Sequence, residues 1–252
     1  MLVRPHVVAV DSVGQVFVGN QDKLGYLSTL VFPSRASSDV APLYTIMLAG
    51  GMSGSPIAGL AIGSNDGLWL GQYNVYHYPA HTRVSDGSIS FGPSLAAIAT
   101  TVAGEVLLAS AGGNVTTYSA FDGMADASTT IPIRTLMTGR TIRSIAVVND
   151  TLFVLDSTGA VDEFAANASG STAPAATIAS PMAAPESAHA IAVDASATPP
   201  ILYVAADGTS LATIYEVPLV GSAPAYTAGS VTSLHGAMTT LTSAESVFVV
   251  HY

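Results

Sequence analysis

The sequence predicts an all-β fold built from repeated small sheets, and three observations carry that reading. Short apolar runs rich in β-branched and aromatic residues recur along the 252 residues. Clusters of Gly, Pro, Asn, Asp and Ser separate them as turns. No window holds apolar residues at the i, i+3, i+4, i+7 spacing of a helix between capping residues.

The runs repeat in a fixed order. One type is strongly apolar and ends in Gly, Ala or a polar residue: VFVGN from Val16, LWLGQ from Leu68, VLLAS from Val106, LFVLD from Leu152, LYVAA from Leu202 and VFVVH from Val247. The intervals are 52, 38, 46, 50 and 45 residues. Each is preceded, across a short turn such as DSVGQ, GSNDG or TVAGE, by a second apolar stretch: VVAVD, GLAIG, AIATT, SIAVV, AIAVD and AMTTL. In the first five repeats a third run follows that usually carries an aromatic (YLSTLVF, VYHYP, VTTYSA, VDEFA, TIYEVP), and then a polar fourth (PLYTI, SISF, PIRTL, AATIA, AYTAG). The Ala-rich stretch from Phe164 to Pro185 is divided by Pro174, Pro181 and Pro185, so it reads as a loop with one short outer strand and not as a helix.

Four strands in each repeat of about 40–50 residues is the pattern of a β-propeller. The chain is expected to form one propeller domain over residues 1–252, with repeats at 5–50, 51–92, 93–139, 140–181, 182–230 and 231–252. Five blades are four-stranded, and the sixth is partial because it ends at VFVVHY, after its second strand. The apolar edge Val247, Phe248, Val249, Val250, His251 and Tyr252 is then expected to be covered, by further polypeptide or by strand addition from another chain. Strand addition between identical copies would run head to tail.

Composition excludes several functions. Net charge is −10, and one lysine, Lys23, stands beside six arginines. No basic stripe exists to neutralise nucleic-acid phosphates or to dock on an anionic membrane. Charged residues make up only 10% of the chain, so the surface relies on Ser, Thr, Asn and Gly. With no cysteine, disulfides and thiolate metal sites are absent. The start, MLVRPHVVAV, lacks the apolar core of a signal peptide and reads as a strand. The uncharged run from Val40 to Asn65 is broken by Pro42, Pro56 and several glycines, so no membrane insertion is expected.

Two segments, PHVVAVDSVGQVFVGN (Pro5 to Asn20) and AHAIAVDASATPPILYVAAD (Ala188 to Asp207), resemble the P-x-G-I-A-V-D-x-x-G repeat of NHL-type propellers. The other repeats are degenerate versions of it. Aligned on their second strands, the repeats place His6, Ala58, Ala96, Arg143, His189 and His235 at one position, where the chain enters the first strand. The resemblance puts that position at one mouth of the central channel. His6, Arg143, His189 and His235 are therefore the candidate ligand-binding residues. His6, His189 and His235 would lie on neighbouring blades and are the candidate ligands of a divalent metal such as zinc. Peptidylglycine amidating lyases build a zinc site from inner-strand histidines on a similar propeller, and streptogramin-inactivating lyases have comparable His-Gly turns. This chain has no glutamate at the head of a first strand for acid–base work, since Glu105 and Glu245 fall in turns between first and second strands. The alternative is a polar rim whose side chains only bond to loops or water.

Other motifs read structurally. GGMSGS (Gly50 to Ser55) matches neither a phosphate loop nor a nucleophile elbow. Asp11 and Asp194 end first strands and are expected to hold the following turns. Tyr76 and Tyr78 alternate with His77, which puts them on opposite faces of a strand, with the tyrosines packing between blades. Trp69 is expected to be buried between blades. Asn114, Asn149 and Asn167 head glycosylation sequons.

The function expected first is a non-catalytic binding or scaffolding propeller at a cell surface or outside the cell, with a protein partner or a second copy of itself. A metal-dependent lyase or lactonase-like enzyme using the channel-mouth histidines stands second. A subunit of a head-to-tail assembly completed by strand addition stands third.

Overall fold

The computed structural model describes residues 4–36, 40–48, 57–92, 94–119, 131–182, 186–208, 212–234 and 247. Among these residues every regular element is a β-strand. The first sheet is a meander of β1 (Arg4–Val10), β2 (Val16–Gln21), β3 (Leu27–Phe32) and β4 (Tyr44–Met47). The second is β5 (Gly59–Ile62), β6 (Leu68–Gly71), β7 (Asn74–Tyr78) and β8 (Gly87–Ser90). The third is β9 (Leu95–Thr100), β10 (Val106–Ser110), β11 (Asn114–Tyr118) and β12 (Pro132–Met137). The fourth is β13 (Ile142–Val148), β14 (Thr151–Asp156), β15 (Val161–Ala165) and β16 (Ala176–Ile178). The fifth is β17 (Ser187–Asp194), β18 (Ile201–Asp207), β19 (Ala212–Ser222) and β20 (Ala225–Ala228), with β21 (Thr232–Leu234) also paired to β19. Every strand expected in the first five repeats is present, in the expected order.

One five-residue turn recurs between strands. In DSVGQ the Asp11 N–H donates to Gln15 O and the Gly14 N–H to Asp11 O. Asp11 Oδ1 accepts from the N–H groups of Val13 and Gln15, at 3.1 and 2.7 Å. The same closure forms in DKLGY from Asp22, in TVAGE from Thr101 and in DSTGA from Asp156. The fourth residue of each turn needs a positive φ, which glycine adopts without a Cβ penalty; Gly14 has φ 83°. In the second sheet Asp66 takes that position with φ 60°. Its carboxylate is used across to the first sheet, where it accepts from Ser12 N–H at 2.9 Å and Ser12 Oγ at 2.6 Å.

Two compact units emerge from the packing, the first within Met1–Leu107 and Tyr118–Pro132, the second within Leu108–Thr117 and Ile133–Val249. In the first unit, Phe17, Leu27, Val31 and Ile46 of the first sheet pack on Leu60, Leu68, Leu70 and Tyr78 of the second. In the second unit, Phe153, Leu155, Val161 and Ile178 of the fourth sheet pack on Ile191, Leu202, Val204, Val217, Leu219 and Tyr226 of the fifth. The second strands β6, β10 and β14 are buried along their whole length, so both faces are covered, and their central residues run apolar instead of alternating.

The segment Thr232–Leu234, from the stretch expected to open the sixth repeat, pairs with the fifth sheet. β20 and β21 pair with the same side of β19, β20 from Leu219↔Ala228 and β21 from Glu216↔Thr232. Between those two pairs the outer chain holds one residue more than β19, so β20 and β21 are two halves of one edge strand with a bulge between them. The cause is Pro218. Its carbonyl accepts from Gly229 N–H at 2.7 Å, so its missing N–H faces the same edge, and the ladder breaks where no donor exists.

Candidate functional site

The aligned position at the head of the first strand has a common backbone geometry in three sheets. In the first sheet Pro5 pairs with Asn20 and Val7 with Gly19, which leaves His6 as an extra residue. In the fourth, Ile142 pairs with Asp156 and Ser144 with Leu155, leaving Arg143. In the fifth, Ala188 pairs with Ala206 and Ala190 with Ala205, leaving His189. A β-bulge of this kind breaks the period-two alternation and re-aims the side chain of the extra residue. Sequence alignment identified the position; the bulge itself carries no sequence signal beyond it. Ala58, at the same position in the second repeat, donates its N–H to Gly71 O and offers no functional group.

His6 is half-buried in the first unit. Arg143 and His189 lie together in the second, on first strands that touch: Ile191 N–H donates to Ser144 Oγ at 3.3 Å. The Arg143 side chain is exposed and, among the described residues, has no hydrogen-bond or ion-pair partner. The other arginines of the unit are engaged, Arg140 with Asp162 at 3.3 Å and Arg134 with Ala166 O at 3.2 Å. His189 Nε2 lies 3.4 Å from Asp207 Oδ2, and both side chains are about one-third exposed, at 32% and 31%. His235 lies outside the described residues; Leu234, just before it, ends β21. Among the described residues no group of three His, Asp or Glu is placed to hold a metal ion.

Of the expected edge, Phe248 to Tyr252 lie outside the described residues. Val247 packs against Ala190, Ala205 and Ala212 of the fifth sheet. GGMSGS lies outside the described residues as well. Asp194 holds its turn as Asp11 does, accepting from Ser196 N–H and Ala197 N–H. Tyr76 and Tyr78 pack on the first sheet, while His77 faces the other way against Trp69, ring centroids 4.6 Å apart. The sequon residues Asn114, Asn149 and Asn167 are exposed.

Three polar arrangements escaped sequence reasoning. His77 Nδ1 and Asp86 Oδ1 are 2.7 Å apart beneath Trp69. Asp156 and Asp162, both buried, converge on Arg140 Nε at 4.0 and 3.3 Å, and Asp162 also accepts from Thr177 Oγ1. Glu163 is buried between the fourth and fifth sheets, where burial pushes its carboxyl up to about 7 and the Tyr226 N–H pulls it partly back. Each joins residues whose partners come from different strands or sheets, which no local motif announces.

No protein-family profile and no curated protein matches the sequence. Solved structures do resemble it. The WD40 β-propeller domain of Doa1 superposes with a TM-score of 0.62 at 13% identity, covering 91% of this chain and 69% of that one. The β-propeller domain of Cps50 (Swd1) from Myceliophteria thermophila superposes with a TM-score of 0.63 at 8% identity, covering 92% of this chain and 72% of that one. At these identities the likeness concerns the fold: the chain is an all-β propeller with five four-stranded blades.

Proposed function

We propose that the chain is a non-catalytic binding propeller whose ligand contacts are the bulged residues Arg143 and His189 of the second unit; His6 is the equivalent bulged residue of the first unit, and His235 holds the aligned position of the sixth repeat. The observation that supports this reading is a coincidence of chemistry with backbone geometry. Three equivalent bulges all carry Arg or His in a chain with only seven Lys and Arg residues and a net charge of −10. An exposed guanidinium with no partner among the described residues is a two-pronged donor suited to carboxylates. The ligand is a protein or peptide partner that presents acidic side chains. The NHL-like segments Pro5 to Asn20 and Ala188 to Asp207 belong to the same reading. So does a partial sixth repeat, supported by the packing of Val247 on the alanines of the fifth sheet.

Titration with an array of acidic peptides, and separately with zinc, tests this. Acidic peptides are expected to bind, and Arg143→Ala or His189→Ala to weaken them by about tenfold or more, the worth of one charge-assisted hydrogen bond. Arg35→Ala, in the loop after β3, is the control and leaves binding unchanged. Zinc binding that is lost with His189→Ala but indifferent to Arg143→Ala favours the metal-dependent alternative. Wild-type protein that binds neither probe refutes the reading.

A further inference from the structure

Glu163 is the most buried acidic side chain among the described residues, at 0% exposure, and it is held unlike the others. Asp11 caps a turn, and Asp156 and Asp162 share Arg140. Among the described residues Glu163 has no cation. Among them its Oε2 accepts one hydrogen bond, from Tyr226 N–H at 2.9 Å, and its Oε1 is buried with no partner. The bond crosses from β15 of the fourth sheet to β20 of the fifth, between residues 63 apart in sequence.

The surroundings are apolar. Glu163 stands opposite Phe153 on β14 and Ala176 on β16. Phe153 stacks on the Tyr226 ring, centroids 6.2 Å apart. The ionisable members of this cluster are Tyr226 and Tyr215, and the Tyr215 hydroxyl donates to Glu186. On β15 itself Asp162 points to the opposite face, toward Arg140. β14 and β16 bring no ionisable group to this face: Asp156 turns into its own loop. β20 has four residues and forms an outer edge, where alternate N–H groups point away from the sheet and need an acceptor elsewhere. For Tyr226 that acceptor is Glu163.

We propose that Glu163 is a proton-operated latch on the edge of the fifth sheet: protonated, it seals β20 against the fourth sheet; ionised, it lets that edge come away. This is a conformational device separate from the binding site proposed at the bulges. In the neutral carboxyl, Oε2 accepts from Tyr226 and Oε1 carries the proton. Loss of the proton leaves an anion with one donor and no counter-charge in an apolar interface, and opening β20 lets water reach it. Burial pushes the carboxyl up to about 7, from 4.5, so the latch works near neutral pH. The sign follows: the stabilisation is complete below about 4.5 and is lost as pH rises through about 7.

Hydrogen exchange at the Tyr226 amide, corrected for the intrinsic rate at each pH, tests the latch in the full chain. Protection in the wild type is expected to fall on the order of a hundredfold between pH 5 and 8, relative to Val204 in the central strand β18. In Glu163→Gln the ratio is expected to stay flat. An unchanged wild-type ratio, or an equal fall in both proteins, overturns the proposal. Carbon NMR of the Glu163 carboxyl in the wild type gives a second measurement should the variant not fold. A midpoint near neutrality that the Tyr226 amide shift follows supports the latch, and a midpoint near 4.5 overturns it.

Discussion

The N–H of Ile191 donates to the hydroxyl of Ser144 at 3.3 Å, and this one bond ties two first strands together one residue after Arg143 and two after His189. Ser144→Ala is expected to cost about 1 kcal/mol in chemical denaturation, the net worth of a neutral hydrogen bond. It also loosens the alignment of the two bulges while leaving both basic side chains in place. Acidic-peptide affinity should therefore fall by a few-fold, less than on removal of Arg143 itself. A variant with unchanged affinity would separate the ligand contacts from this bond.

Gly67 lies where a Cβ would stand 2.5 Å from His77 Nε2 and 3.0 Å from Asn65 Oδ1. His77 cannot retreat, since Asp86 grips its other nitrogen and Trp69 lies over its ring. Gly67→Ala should destabilise by about 1–3 kcal/mol, the usual range for overpacking. Trp69 is the only tryptophan, so its fluorescence reports the disturbance directly. An unaltered emission spectrum and midpoint would show that the His77 ring gives way freely.

Asp11 satisfies two turn N–H groups with one oxygen. Asp11→Ala should cost about 1–2 kcal/mol, because both donors lose a charged acceptor within a partly buried turn. Gly14→Ala should be comparably damaging for a different reason: φ is 83°, and the new Cβ would meet Ser34 Oγ at 2.5 Å. Thermal melts of both variants check this.

Arg140 is half-exposed, at 49%, yet its Nε serves the buried carboxylates of Asp156 and Asp162. Arg140→Ala leaves two buried acids without their cation, at a cost of about 2–3 kcal/mol, below the full range for buried pairs because the guanidinium is partly solvated. Arg140→Lys should recover part of the loss by restoring charge without the planar fork. A loss within about 0.5 kcal/mol, typical of a neutral surface change, would show that solvent already neutralises the pair.

The pH dependence of stability follows from Glu163. Its carboxyl is raised in the folded chain, so the melting temperature should be higher at pH 5 than at pH 8. The difference should be on the order of 2 kcal/mol, or a few degrees. Glu163→Gln should remove most of it. Collapse of the melt between pH 6 and 5 would contradict this and implicate the histidines.

Local chemistry made most of the fold legible. VFVGN, LWLGQ, VLLAS, LFVLD and LYVAA are strands because β-branched and apolar residues fill a pleated surface covered on both sides. DSVGQ and DSTGA are turns because an Asp and a Gly three residues later close the loop within five residues. The repeat register, carried by these local signals, also aligned His6, Arg143 and His189. What the sequence alone determined is therefore the strand order, the repeat and the common position of those three side chains. Tertiary structure decided what depends on distant partners. VDEFA reads as an ordinary strand with polar residues, and nothing in it tells which acid will meet Arg140 and which an apolar sheet. Thr232–Leu234 joined the fifth sheet because the ladder could resume past Pro218. The bulges and the Glu163–Tyr226 bond arise only when sheets pair and pack, since their energies lie in contacts between strands that the chain brings together from far apart.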